Sequence, residues 1–211
     1  MTVIHEPPGH DVYAWLGTAA DRIHDGTLVF VKGLAADEVL RRLGADPASA
    51  RLMSRDERYG RPDLLSVHAL GGDWLLAFEP NGFDAFVELL LHDLSAGAEV
   101  VVFNRNILGH CRFRHIVDGD TWTYFSEFEP DQRYGLHPDR LNDAMRRIGL
   151  DPDYDDADDY DEIGAPIGDE DPAHVEHWSA MTMALVEAVT GVRLNPDVLD
   201  APAPTVVRRF P

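Results

Sequence analysis

Two pairs of short apolar-rich runs constrain this chain more than any other feature. Residues 64–70 and 74–79 are separated only by Gly71-Gly72-Asp73. Residues 111–117 and 121–128 flank Asp118-Gly119-Asp120 in the same way. Gly and Asp accept the positive φ values of tight hairpin turns, so each pair is expected to fold back as adjacent antiparallel strands. Two more β-branched runs follow the same logic. Residues 27–32 (TLVFVK) read as a strand, and residues 99–103 (EVVVF) are apolar almost throughout, as a central strand would be.

Helical periodicity fills the intervals. Apolar residues recur at three- and four-residue spacing in 11–24, 37–43 and 138–148, and most clearly in 83–94. A helix capped by Asp171 should place Val175, Trp178, Thr182, Leu185, Val186 and Val189 on one face. A short one should start at Asn195-Pro196-Asp197. Residues 47–61 fit a helix carrying Arg51, Arg55 and Arg58 together. Hairpins dominate and βαβ alternation is incomplete. The expectation is an α+β fold: a mostly antiparallel mixed sheet of about six strands packed by helices, with C-terminal helices after an acidic loop. One domain is expected over 1–200, with the loop at 150–170 and a Pro-rich tail at 201–211.

The chain has 211 residues, 45% of them apolar, enough for one domain with a real core. Its 38 acidic and 18 basic residues leave a formal charge of −20. That excess repels phosphate backbones, so general nucleic-acid binding is disfavoured and a basic partner is favoured. All basic residues but Lys32 are Arg, a bias that suggests a GC-rich bacterial genome. Cys111 is the only cysteine, which excludes an internal disulfide and fits a reducing cytosol. No signal-peptide pattern opens the chain and no apolar run reaches the ~20 residues of a membrane span, so a cytoplasmic protein is expected.

Three stretches resemble a known family. V-F-V-K-G-L-A-A-D-E-V-L-R-R-L-G-A-D from Val29 to Asp46 is the first. W-L-L-A-F-E-P-N-G-F from Trp74 to Phe83 and G-V-R-L-N-P-D-V-L from Gly191 to Leu199 are the others. They resemble an uncharacterised, mostly actinobacterial family described as a domain of unknown function, over Asp11 to about Leu199. The resemblance implies a single α+β domain and no established activity, cofactor or catalytic residue.

Residues 151–162 read D-P-D-Y-D-D-A-D-D-Y-D-E, with eight carboxylates and no cation. Calcium loops of the helix-loop-helix type place oxygen ligands at positions 1, 3, 5, 7, 9 and 12. Here these are Asp151, Asp153, Asp155, the Ala157 carbonyl, Asp159 and Glu162. Position 6 is Asp156 where a Gly is wanted, and Ile163-Gly164-Ala165-Pro166 is a poor start for the outgoing helix. As a partner surface, Asp153, Tyr154, Asp156, Asp158, Tyr160 and Asp161 would combine aromatics with carboxylates toward something basic. A solvated linker is the third reading.

Other candidates carry less. His174 and His177 lie one helical turn apart near an acidic helix start, as a metal pair or as surface residues. On a strand, Cys111, Phe113 and His115 share a face, with Cys111 as a small core residue. Six arginines from Arg41 to Arg61 face three acids and are expected to pair internally. Glu79, Asn81, Arg133 and His137 fall on or beside predicted loops, where an enzyme's site could form. No phosphate loop, dinucleotide fingerprint or Ser-His-Asp set is present, and no cofactor is expected beyond calcium. The leading expectation is a non-enzymatic, cytosolic protein-binding module. Its sharpest form is immunity-like or inhibitory, engaging a basic partner through acidic surface. An enzyme using the Glu79 set and a calcium-responsive protein are the alternatives.

Overall fold

The computed structural model describes residues 3–18, 21, 23, 25–80, 88–106, 111–126, 129–154 and 177–208. Eight strands form one antiparallel sheet. In chain order they are β1 (Gly26–Lys32), β2 (Arg51–Met53), β3 (Leu64–Ala69), β4 (Trp74–Pro80), β5 (Glu99–Arg105), β6 (Cys111–Val117), β7 (Asp120–Ser126) and β8 (Ala203–Val207). Their spatial order is β2-β8-β3-β4-β1-β5-β6-β7. Both predicted hairpins are present, as β3-β4 and β6-β7. The apolar run at 99–103 lies in β5, paired on both sides by β1 and β6.

Each face of the sheet is buried by helices. Leu28, Phe30, Leu76, Phe78, Val101, Phe103, Phe113 and Phe125 point to the side packed by α4 (Asn142–Ile148) and α5 (Trp178–Thr190). Val29, Val31, Val67, Ala77, Val100 and Val102 point to the other, packed by α1 (Ala36–Arg42) and α3 (Glu88–Ser95). This explains why β1 and β5 are apolar at consecutive positions rather than alternating. Helix α5 is buried nearly all round, including Thr182, Leu185, Val186 and Val189. At this depth a Leu185→Ala change removes packing worth about 2–5 kcal/mol.

Four expectations are corrected. The sheet has eight strands, not six. The segment read as a Pro-rich tail supplies β8, inserted between β2 and β3. Pro204 fits there because it pairs only with Leu52 of β2 and lies beyond the register shared with β3. The possible helix at 47–61 is instead a 3-10 turn at Pro47–Ser49, then β2, then α2 (Arg55–Arg58). Two N-caps divide it: Asp46 accepts from the Ala48 N–H, and Ser54 forms a capping box with Glu57. Finally, residues 11–18 hold a 3-10 turn at His10–Tyr13 and further turns rather than a helix. The Asp21 carboxylate takes the N–H groups of Gly17 and Ile23, a local bonding pattern that competes with a helix.

Arginines fasten the C-terminal elements to this frame. Buried Arg58 donates to the carbonyls of Met53, Leu199 and Ala201, joining β2 to α6 (Pro196–Asp200) and the chain leading to β8. Just after β8, the Arg208 N–H bonds the Asp63 carbonyl, and its guanidinium meets the fully buried Glu79 of β4 at 2.5 Å. Removing one partner of a buried ion pair strands the other charge and costs about 3–5 kcal/mol. Arg208→Met should lower unfolding stability in urea by that amount. A change below about 1 kcal/mol would show that this pair does not anchor β8.

Candidate functional site

The acidic run begins where α4 ends. Gly149 terminates α4 at φ 88°, as the sequence indicated. Leu150 is buried, and Asp151 accepts the Asp153 N–H at 3.0 Å. Arg146 pairs with Asp153 at 2.8 Å, and Arg133 donates to the Pro152 carbonyl. The Tyr154 ring packs edge-on against Trp178, the first residue of α5, beside a cavity of about 90 Å³. Asp153 and Tyr154 are thus anchors of the segment on the body as much as exposed groups. Asp155, Asp156, Asp158, Asp159, Tyr160, Asp161 and Glu162 lie outside the described residues. Of the calcium spacing, only Asp151 and Asp153 are described, and both are engaged by the protein itself. Among the described residues, no three His, Cys, Asp or Glu side chains are grouped to hold a metal.

The set Glu79, Asn81, Arg133 and His137 does not assemble among the described residues. Glu79 is buried against Arg208 on β4, and Asn81 lies outside the described residues. Arg133 and His137 belong to the loop after β7, four strands away, roughly 19 Å at the usual strand spacing. Arg133 works as a staple: its guanidinium reaches the Pro130 and Pro152 carbonyls and the Asp139 carboxylate.

His137 does join a polar cluster, with partners that pattern reading missed. Trp74, Lys32 and Glu99 stand in direct register on β4, β1 and β5, on the face that α5 covers. The Lys32 ammonium lies 5.5 Å from the Trp74 ring centre. Glu99 turns toward fully buried His115 of β6, with Oε1 3.0 Å from Nε2. Next in line, the Trp122 ring meets His115 at 5.5 Å and His137 at 5.0 Å, and the Arg140 guanidinium covers it at 4.6 Å. His115 shares its face with Cys111 and Phe113, as predicted. Burial pulls its imidazole below the usual histidine value, while the Glu99 bond opposes that. A carboxylate–imidazole pair can do proton chemistry, but this imidazole has no exposed surface to offer a substrate.

The loop that supplies His137 is fixed to the sheet margin. Tyr124 and Tyr134 exchange backbone hydrogen bonds, and the Leu136 and His137 N–H groups bond the carbonyls of Thr121 and Trp122. Gly135 makes this approach possible: a Cβ there would sit 2.5 Å from the Trp122 carbonyl oxygen.

Other candidates resolve as structure. His177 stacks on His10 at 5.2 Å, while His174 lies outside the described residues. Cys111 is buried, with its sulfur 3.1 Å from Ser179 Oγ. Ser66 Oγ lies 3.1 Å from His68 Nε2, yet Ser66 is fully buried on β3 and no substrate can reach it.

The arginines explain where the net charge goes. Arg41 and Arg42 pair with Glu38, Arg51 with Glu57, Arg55 with Asp200 and Arg61 with Asp63. Arg105 pairs with Asp21, Arg133 with Asp139, Arg146 with Asp153, Arg193 with Glu187 and Arg208 with Glu79. Five of the six arginines from Arg41 to Arg61 thus pair internally as expected, and Arg58 bonds backbone carbonyls instead. Glu88, Asp118, Asp120, Asp131 and Asp143 are exposed and have no cationic partner among the described residues.

His68 gives a pH test of this interior. Burial, with the nearby Arg58 charge, lowers its pKa from 6.5 to about 4. The unfolded chain therefore takes up the proton first as pH falls. Stability is complete above pH 6.5 and is lost between there and 4, by about 3 kcal/mol at most. Urea unfolding at pH 7 and 4.5 should show a smaller acid loss for His68→Gln than for the parent chain. Equal losses would contradict a buried neutral His68.

No curated protein and no solved structure matches the chain. No helix among the described residues is long and apolar enough to cross a membrane. A family model does match, and it spans nearly the whole of the fold described above. It covers residues 8–205, and the chain belongs to that family, a family of unknown function (DUF6461).

Proposed function

We propose that this chain is a non-enzymatic binding module of the cytosol that engages a basic protein through its acidic exterior. An immunity-like or inhibitory role against a basic enzyme is the sharpest form of this reading. One observation supports it above the others: most of the described arginines bond the chain's own carboxylates and carbonyls, so much of the acidic excess is left without a counter-charge. An excess of this kind speeds encounter with a cationic surface and repels nucleic acid. Residues 155–162 concentrate it further, on a segment whose start is pinned by Arg146, Arg133 and Trp178. The pinning holds the start of that segment, Asp153 and Tyr154, to the body.

The test replaces Asp155, Asp156, Asp158, Asp159, Asp161 and Glu162 by Asn or Gln, leaving Asp153 and Tyr154 in place. A basic protein captured from source-cell extract by the parent chain would be purified and its binding measured at several salt concentrations. The expected result is an association rate that falls steeply with salt and at least about a tenfold weaker Kd for the neutralised chain. Equal affinity of the two chains, or capture of no basic protein, would overturn the reading.

A further inference from the structure

A groove of about 600 Å³ opens where the β3-β4 turn meets the end of α5. Lys32 and residues 71–74 line its sheet side, and His5 with residues 190–193 line its helix side. Gly71 and Gly72 keep the sheet side open, since a Cβ at either would meet nothing within 4 Å. Their N–H groups are not used by the turn, whose own bond runs from the Leu70 N–H to the Trp74 carbonyl. On the helix side the His5 N–H bonds the Ala188 carbonyl, and the His5 ring rests on Gly191.

The charges around this groove fall into two groups. Arg193 bonds both carboxylate oxygens of Glu187, which also accepts the Tyr13 hydroxyl, so that pair is closed. Glu99, the cross-strand neighbour of Lys32, turns to His115. Lys32 and Asp73 are the remainder. Both are exposed, they form no ion pair with each other, and neither has one with any other described residue. Lys32 is the chain's only lysine, and the Trp74 ring beneath it, at 5.5 Å, holds its ammonium over the groove.

We propose that this groove binds a small zwitterion of the α-amino-acid type, its carboxylate on Lys32 and its ammonium on Asp73. A simple anion would meet Asp73 and the field of a −20 chain, and a simple cation would meet Lys32. A zwitterion has no net charge to be repelled, and each of its charges finds an opposite one. The Gly71 and Gly72 N–H groups supply further donors for the carboxylate. The C-terminal end of α5 carries the negative end of the helix dipole, which favours the ammonium. Val192 offers apolar surface to the ligand's side chain. The site is a weak one, with a Kd on the order of 1 mM, because both charges stand at an open groove. It does not draw on the acidic run or on the basic-partner reading.

Calorimetric titration of the whole chain with the common L-amino acids tests this, each taken to about 20 mM, well above the expected Kd. At least one should bind with a Kd of about 1 mM or below. Its N-acetyl derivative and its methyl ester, each lacking one charge, should bind at least about tenfold more weakly. Lys32→Met and Asp73→Asn should each weaken the amino acid by a similar factor. Both should leave the urea midpoint nearly unchanged, because the two side chains are exposed. Asp120→Asn, at the β6-β7 turn, should bind like the parent. Absence of heat with every amino acid would overturn the proposal. So would derivatives that bind as tightly as the free amino acid, or Lys32→Met and Asp73→Asn chains that bind like the parent.

Discussion

With 38 acids and 18 bases, every cation this chain possesses is a scarce resource, and the fold depends on where each is placed. Arg58 ends on three backbone carbonyls that would otherwise be short of donors where β2, α6 and the approach to β8 converge. Arg208 meets Glu79, and Arg105 meets Asp21. The Asp21 carboxyl is pushed up by burial, but the Gly17 and Ile23 N–H groups and Arg105 together hold it below its ordinary value. Arg133 ties the loop after β7 to the chain after α4. These contacts join segments far apart in sequence. All but the Arg133–Asp139 pair are buried or partly so, where breaking one costs more than losing a surface pair.

The arrangement has an outward consequence. Arginines already bonded to the chain's own carboxylates and carbonyls leave the remaining carboxylates without a counter-charge. The acidic run groups eight carboxylates in twelve residues, and its start is stapled down by Arg146, Arg133 and the Tyr154–Trp178 contact.

Local signals in the sequence predicted local structure well. The Gly71-Gly72-Asp73 and Asp118-Gly119-Asp120 turns, the apolar strands at β1 and β5, the Gly149 stop and the Asn195 cap all depend on neighbours within a few residues, and all are present. What escaped depends on distant partners. β2 is three residues long, too short for a period, and β8 contains Pro204, a residue that normally argues against a strand. Both exist because they pair with each other. The polar cluster was hidden for the same reason. Glu99 and Lys32 sit at strand ends, where charge looks like solvent exposure, and only the register of β1, β4 and β5 aligns them with Trp74. His115 alone gave a hint, as a histidine on an otherwise apolar strand face.

The central claim is that the arginines bond the chain's own carboxylates and carbonyls, some at buried seams and more at the surface, and leave the carboxylate excess uncompensated. Thermal unfolding at pH 7 across a sodium chloride series tests it most directly. Screening should relieve repulsion in the compact state while the buried pairs resist it, since the Debye length shrinks from about 30 Å at 0.01 M to about 10 Å at 0.1 M. The account predicts a Tm that rises with salt by at least about 2–4 °C, the shift that ~1 kcal/mol produces in a domain of this size. A Tm that is flat or falls as salt is added would mean that the surface charges are already balanced, and would contradict it.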